Sequence, residues 1–350
     1  MAAPVAPDAA RPGSPGRRRF ALARPRRALA GAAIAILILA AVLAGLVAFG
    51  GGSPPPRMAA IGDPFAAVDY GDLPARQTLE AADGTALAYR RYPAAGDAVG
   101  GAVLALHGSS TDGQSLHVLA RDLAAAGQAV YVPDIRGHGE SGTRGDIPRA
   151  GILEDDIAAF LAMIRDRHPE LPATLLGFSS GGGLALRYAG RPDLASPDRL
   201  LLLAPMLGID APTYTADNPH AGDETWSNPY VPRIIGLSIL NGLGIHAFDH
   251  LLVIGFATDP ADNRATASYS HRLLRSMNPQ DHRALLRDTA APVTVLAGTD
   301  DQVFAADQFA PTVHAVRPEA EVQLVDRVDH IGMTLDPAAL AAVRAAVARP

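Results

Sequence analysis

The sequence predicts an α/β fold, a mainly parallel sheet with helices on both faces, preceded by one apolar helix long enough to cross a membrane. Three observations predict it. Short apolar runs alternate with helical periodicity from about residue 75 to the C-terminus. One run leads into Gly177-Phe178-Ser179-Ser180-Gly181, a glycine-flanked serine between a strand and a helix. Residues 28–49 carry no charge at all.

The N-terminal region sets the topology. Residues 1–27 read as a disordered basic tail, with Arg17, Arg18, Arg19, Arg24, Arg26 and Arg27 clustered at its end. Residues 28–49 follow as a transmembrane signal anchor, since a helix of that length spans about 30 Å at 1.5 Å per residue. The arginines on its N-terminal side hold that end in the cytoplasm and place the body on the extracytoplasmic side, periplasmic or extracellular. Two other readings stay open: a cleaved signal peptide that releases a secreted product, and a buried core helix. Gly50-Gly51-Gly52-Ser53-Pro54-Pro55-Pro56 opens a linker over 50–64, flexible and then stiff. The folded domain occupies 65–350.

Seven Arg and one Asp lie in residues 1–27, so a whole-chain charge of −6 leaves about −12 on the remainder. That acidic body excludes nucleic acid as a partner, because such binding rests on cationic side chains neutralising phosphates. The chain contains no cysteine, which excludes disulfides, thiolate metal sites and cysteine nucleophiles.

Each element has its own signal. Gln77–Glu80 and Ala86–Tyr92 flank Asp83-Gly84, a hairpin turn. Ala102–Leu106, Ala129–Val132, Ala173–Leu176, Leu200–Leu203, Val293–Leu296 and Glu321–Val325 are the remaining strands. Helical spacing covers Ser115–Ala126, Ile152–Arg167, Leu184–Ala189 and Ala338–Ala348. The rhythm breaks over about 206–290, a stretch with no clear strand and an aliphatic block from Ile234 to Phe256. It is expected to form a helical cap, either a lid that lines an acyl pocket or touches the bilayer, or one that simply packs on the core. Gly236, Asn241, Gly242, Gly244 and Asp249 interrupt the block and argue against a second membrane span.

The chemistry concentrates at three loops that follow strands. Ser179 is the candidate nucleophile, because Gly177 and Gly181 stand where larger side chains would collide in a tight strand-to-helix turn. Ser180 is the rival hydroxyl, but the residue two before it is Phe178. Two backbone N–H groups are expected to bind a developing oxyanion: that of Ser180, opening the next helix, and that of Ser109, after His107-Gly108. The candidate base is His330, after the last strand, with His314 the other histidine in that region. Asp301 is the candidate orienting carboxylate, three residues beyond Gly298, and Asp300 its rival as a turn residue.

Taken in order, His107-Gly108, Asp134-x-Arg136-Gly137-His138-Gly139-x-Ser141, Gly177-x-Ser179-x-Gly181, Gly298-x-x-Asp301 and His330 resemble the α/β-hydrolase superfamily. Within it, residues 75–348 look like the monoacylglycerol-lipase and lysophospholipase branch, which shades into serine aminopeptidases of the S33 type. The resemblance implies hydrolysis of carboxylic esters through an acyl-enzyme on a Ser-His-Asp triad. It implies a lipid-derived or small-molecule ester as substrate, and neither a metal nor an organic cofactor. An aminopeptidase or amidase on the same triad is the alternative, with Asp223 and Glu224 as the acids that would hold a substrate amine. A membrane-tethered binding domain without activity is the third. The Asp134–Ser141 motif is expected to be structural, pinning its own loop.

Overall fold

The computed structural model describes residues 1–2, 25–96, 99–222, 225–259 and 261–349. Arg17, Arg18, Arg19 and Arg24, and with them the expected disorder of the basic tail, lie outside the described residues, as do Asp223 and Glu224.

Eleven strands occur among the described residues. Six precede the insertion: β1 (Arg76–Glu80), β2 (Ala86–Tyr92), β3 (Gly101–Leu106), β4 (Gln128–Pro133), β5 (Ala173–Phe178) and β6 (Arg199–Leu203). Three lie within it: β7 (Ser227–Pro229), β8 (Leu252–Phe256) and β9 (Ser268–Ser270). Two follow: β10 (Val293–Gly298) and β11 (Glu321–Val325). The main sheet has eight strands in the order β1-β2-β4-β3-β5-β6-β10-β11. Its β1–β2 and β2–β4 pairs are antiparallel, and every pair beyond β4 is parallel. Strands β3, β4 and β5 are buried along their whole length, as a parallel sheet covered on both faces requires. That double burial is why they read as continuous apolar runs rather than as alternating patterns.

The helices fall close to their expected positions, at Ile152–Arg167, Ser180–Ala189 and Pro337–Val347. The one expected over Ser115–Ala126 begins later. A 3-10 turn over Gly113–Leu116, capped by the Asp112 side chain on the Gln114 N–H, precedes the α-helix His117–Ala125.

Two expectations change. The insertion is not purely helical: β7, β8 and β9 form an antiparallel three-stranded sheet beside the cap helix Val231–Gly242. Strands of three and five residues are too short to show a period. The segment 50–64 is also not a free linker. Its Ser53 carbonyl accepts from Asn228 Nδ2 at 3.0 Å, the Met58 N–H donates to Ala257 O at 3.3 Å, and Met58 is buried. Helix Ala59–Ala66 then lays Ile61 and Phe65 against the core. The glycines that suggested flexibility serve close approach instead: a Cβ on Gly52 would overlap the Tyr230 ring.

Candidate active site

The serine loop follows from local sterics. Ser179 joins β5 to helix Ser180–Ala189 with φ 55° and ψ −121°, a backbone conformation that a non-glycine residue adopts only when its surroundings enforce it. A Cβ at Gly177 would run into the Gly181 carbonyl, and one at Gly181 into the carbonyls of His107 and Leu106. The turn therefore closes only with glycine on both sides, and it lifts the Ser179 side chain above the carboxyl ends of the strands.

The structure brings Ser179, His330 and Asp301 together. Ser179 Oγ lies 3.0 Å from His330 Nε2, and His330 Nδ1 lies 2.8 Å from Asp301 Oδ2. With Nδ1–H donating to the carboxylate, Nε2 is left free to accept the serine proton. Asp301 Oδ1 accepts from the Val303 and Phe304 N–H groups, both at 2.8 Å, so the carboxylate is pinned from behind. The imidazole packs against Phe178 and Phe304, with ring centroids at 5.0 and 5.3 Å. Gln302 Oε1 accepts from the His330 N–H, and Asn218 Nδ2 donates to the Asp301 carbonyl. The rival Asp300 turns elsewhere and accepts from Thr299 Oγ1 at 3.0 Å. His314 Nε2 meets the Ala320 carbonyl, away from the serine.

The expected oxyanion donors sit beside the nucleophile. Neither the Ser109 nor the Ser180 N–H has an acceptor among the described residues, while their hydroxyls bond each other at 2.9 Å. Both residues share a cavity wall with Ser179.

The Asp134–Ser141 motif acts on the loops around the site. Asp134 accepts from the N–H groups of Gly113 and Glu140, and Ser141 Oγ from that of Ala88. Arg136 is buried between Asp156 and Asp83, with contacts of 2.7 and 2.8 Å. His107 Nε2 accepts from the Ile135 N–H at 3.0 Å, so its Nδ1–H donates to the Gly108 carbonyl at 2.8 Å. That histidine is buried and ties the Gly108 carbonyl to the Ile135 N–H.

Tyr269, on β9 of the cap, was not singled out from the sequence. Its hydroxyl accepts from the Ser110 N–H at 2.7 Å and donates to His138 Nε2 at 2.5 Å. The Ser110 carbonyl in turn accepts from the Thr266 N–H at 2.8 Å. The cap thus grips both polar groups of the residue next to Ser109, itself held at φ 62°. Tyr269 carries no local signal; its partner His138 lies 131 residues away.

His138 also gives the fold an acid sensitivity. Burial pushes its imidazole down to about 3, and the neighbouring His107 adds to the effect. In the unfolded chain the same group protonates near 6.5. Between those values the unfolded state binds one proton more, so stability is full above about 6.5 and falls as pH drops toward 3, by about 1.4 kcal/mol per pH unit. Unfolding free energies measured from pH 7 to 4 are expected to slope less steeply in His138→Asn than in the parent, and equal slopes would refute this account.

Ser179 lines two cavities, and a third lies beyond the smaller of them. The largest, about 620 Å³, is lined by Ser109, Ser179, Ser180, Met206, Ile209, Tyr214, Trp226, Val231, Ile234, Ile254, Phe256, Leu274 and Phe304, among others. A second, about 340 Å³, is more polar and is walled by Arg57, Ile61, Phe65, Tyr70, Ser110, Thr111, Asp112 and Arg264. A small space of about 40 Å³ lined by Phe65, Ser109, Ser179, Trp226 and His330 shares walls with both.

Comparison with known proteins places this geometry. Residues 97–333 match the family described as Serine aminopeptidase, S33. Over 92 residues the chain is 35% identical to a monoacylglycerol lipase of Mycolicibacterium smegmatis, covering 26% of this chain and only a third of that relative. A soluble variant of monoglyceride lipase from Saccharomyces cerevisiae, solved with a substrate analog, superposes with a TM-score of 0.58 at 18% identity, over 78% of this chain and 94% of that one. An esterase from Exiguobacterium antarcticum does so with a TM-score of 0.52 at 21% identity, over 79% and 100%. At these identities the solved structures establish the α/β-hydrolase fold.

Proposed function

Because the chain belongs to the serine aminopeptidase S33 family of α/β-hydrolases, we propose that it hydrolyses carboxylic esters of lipid character, such as a monoacylglycerol or lysophospholipid, through an acyl-enzyme on Ser179. The observation that supports this most is the hydrogen-bonded chain Ser179–His330–Asp301 opening onto a 620 Å³ cavity walled mainly by aliphatic and aromatic side chains. An acyl chain fits that wall, and the more polar cavity on the Arg57 side suits the alcohol.

In this reading Ser179 Oγ attacks the ester carbonyl carbon while His330 Nε2 takes its proton. The carbonyl oxygen becomes an oxyanion held by the Ser109 and Ser180 N–H groups. Collapse breaks the bond to the alcohol oxygen, which leaves with the proton from Nε2. Water then gives a proton to His330, attacks the acyl-enzyme and releases the acid, and Ser179 regains its hydrogen. Asp301 holds the tautomer and stabilises the imidazolium without taking a proton.

The proposal extends to location. The uncharged helix anchors the chain, with residues 65–350 as the catalytic unit on the extracytoplasmic side. Leu29–Phe49 is the one helix among the described residues long and apolar enough to span. The relatives' names and the cavity favour esters over amides. The test compares p-nitrophenyl esters of rising chain length with an aminoacyl anilide. Long-chain esters are expected to exceed acetate in kcat/KM by about tenfold or more, as each buried methylene contributes about 0.8 kcal/mol. Faster anilide than ester cleavage would replace this reading with the aminopeptidase.

A further inference from the structure

The span does not leave the catalytic body at its last residue. Leu43 and Val47, on the last two turns of helix Pro25–Phe49, are buried against the cap helix Val231–Gly242. Gly236 makes that approach possible, since a Cβ there would stand 3.0 Å from both the Leu46 and the Val47 side chains. Arg233 secures the seam. Its guanidinium donates to the Val47 and Ala48 carbonyls at 2.9 and 3.2 Å and to Leu252 O at 2.9 Å. A cation on the last carbonyls of a helix is electrostatically favoured as well as hydrogen-bonded.

This contact fixes the depth of the cap. Leu43 lies six residues before the end of the apolar stretch, about 9 Å along the helix axis. A helix that touches Leu43 while the span crosses a bilayer must itself reach the headgroup and upper acyl region. The cap helix has the side chains for it. One face, with Val231, Ile234 and Ser238, lines the large cavity, and another carries Gly236 and Leu237 onto the span. The remaining face is bare and aliphatic: Ile235 and Ile239 are 48% and 42% exposed, and Leu243 beyond them is 68% exposed. Phe248 and Leu252, beyond the helix, are exposed as well.

We propose that this face, from Ile235 through Ile239 to Leu243, is a bilayer-contacting surface that the span holds against the outer leaflet, so that one helix touches lipid on one side and walls the acyl cavity on another. Apolar faces of interfacial helices bury about 5–10 Å into the headgroup and acyl boundary, the depth at which the seam sets this one. Its role in substrate delivery rests on the lipid-ester reading above; its contact with lipid does not.

The test uses the full chain reconstituted in phosphatidylcholine vesicles. A tryptophan introduced by Ile239→Trp is expected to lose at least about half its added fluorescence when the lipid acyl chains are brominated near the headgroup, a depth its position reaches. The parent, whose sole tryptophan is Trp226 in the cavity wall, reports the background. No quenching beyond that background, as when a second copy of the chain covers the face, overturns the surface. The doubly substituted Ile235→Asp, Ile239→Asp chain is expected to cleave a vesicle-dissolved long-chain ester about tenfold more slowly while a soluble butyrate ester is cleaved within about twofold of the parent, an apolar-contact loss of about 1.4 kcal/mol. Quenching with no turnover of the long-chain ester by the parent would leave the surface standing and remove the lipid-ester reading. Unchanged turnover of both esters would remove the delivery role.

Discussion

Ser179→Ala is expected to lower ester turnover by about 10⁴- to 10⁶-fold, the range seen when a triad nucleophile is removed. It is expected to leave thermal unfolding unchanged. The two outcomes separate because of how the hydroxyl is held. Ser179 Oγ has His330 as its side-chain partner, and the turn depends on Gly177 and Gly181 rather than on the hydroxyl. Alanine keeps the Cβ, deletes one hydrogen bond and leaves His330 oriented by Asp301. Fluorophosphonate labelling gives the same answer without a substrate: the parent is labelled and the variant is not. Equal labelling would mean that another hydroxyl, Ser180 first among them, is the nucleophile.

The second large effect separates two adjacent carboxylates. Asp301→Asn is expected to lower kcat by about 10⁴-fold, whereas Asp300→Asn stays within about threefold of the parent. The cause is the pair of backbone donors behind Asp301. Val303 and Phe304 each point an N–H at Oδ1, so an asparagine keeps its oxygen there and turns its NH2 toward His330. Nδ1 must then accept, which forces the proton onto Nε2, and Nε2 can no longer take the serine proton. Asp300 meets Thr299 and not the imidazole, so its amide changes no tautomer. Comparable losses in the two variants would undo this assignment.

These effects concern residues whose chemistry was legible in the chain. The register that favours Ser179 over Ser180 lies in Gly177 and Gly181, two positions to either side. Asp301 was preferred to Asp300 by its spacing from Gly298, and His330 to His314 by its place after the last strand. The structure brings these three together. Of the eight strands of the main sheet, β1 and β2 were marked by the hairpin turn between them and the other six by short runs between helical segments, and each lies within two residues of where it was expected. What was missed has a different character. The cap strands Ser227–Pro229 and Ser268–Ser270 are three residues long and are stabilised by β8 rather than by any pattern of their own. Tyr269 is one tyrosine among eight until the cap folds over Ser110. Gly50-Gly51-Gly52 reads as a flexible stretch until Tyr230 and Arg233 occupy the space that side chains would need.

The sequence by itself determined the strand-to-helix turn that presents Ser179, the chain order Ser179, Asp301, His330, and an uncharged helix ahead of an acidic body. Each depends on side chains within a few residues of one another, where backbone sterics and apolar periodicity act directly. Only the tertiary structure decided that the cap is gripped through Tyr269 and His138, that a small space beside Ser179 shares walls with two cavities of unlike polarity, and that Arg233 and Gly236 fasten the cap to the end of the span. Those contacts join residues from 131 to more than 180 positions apart, and a pair so distant leaves no periodic trace in the chain because periodicity reports only neighbours within a few turns.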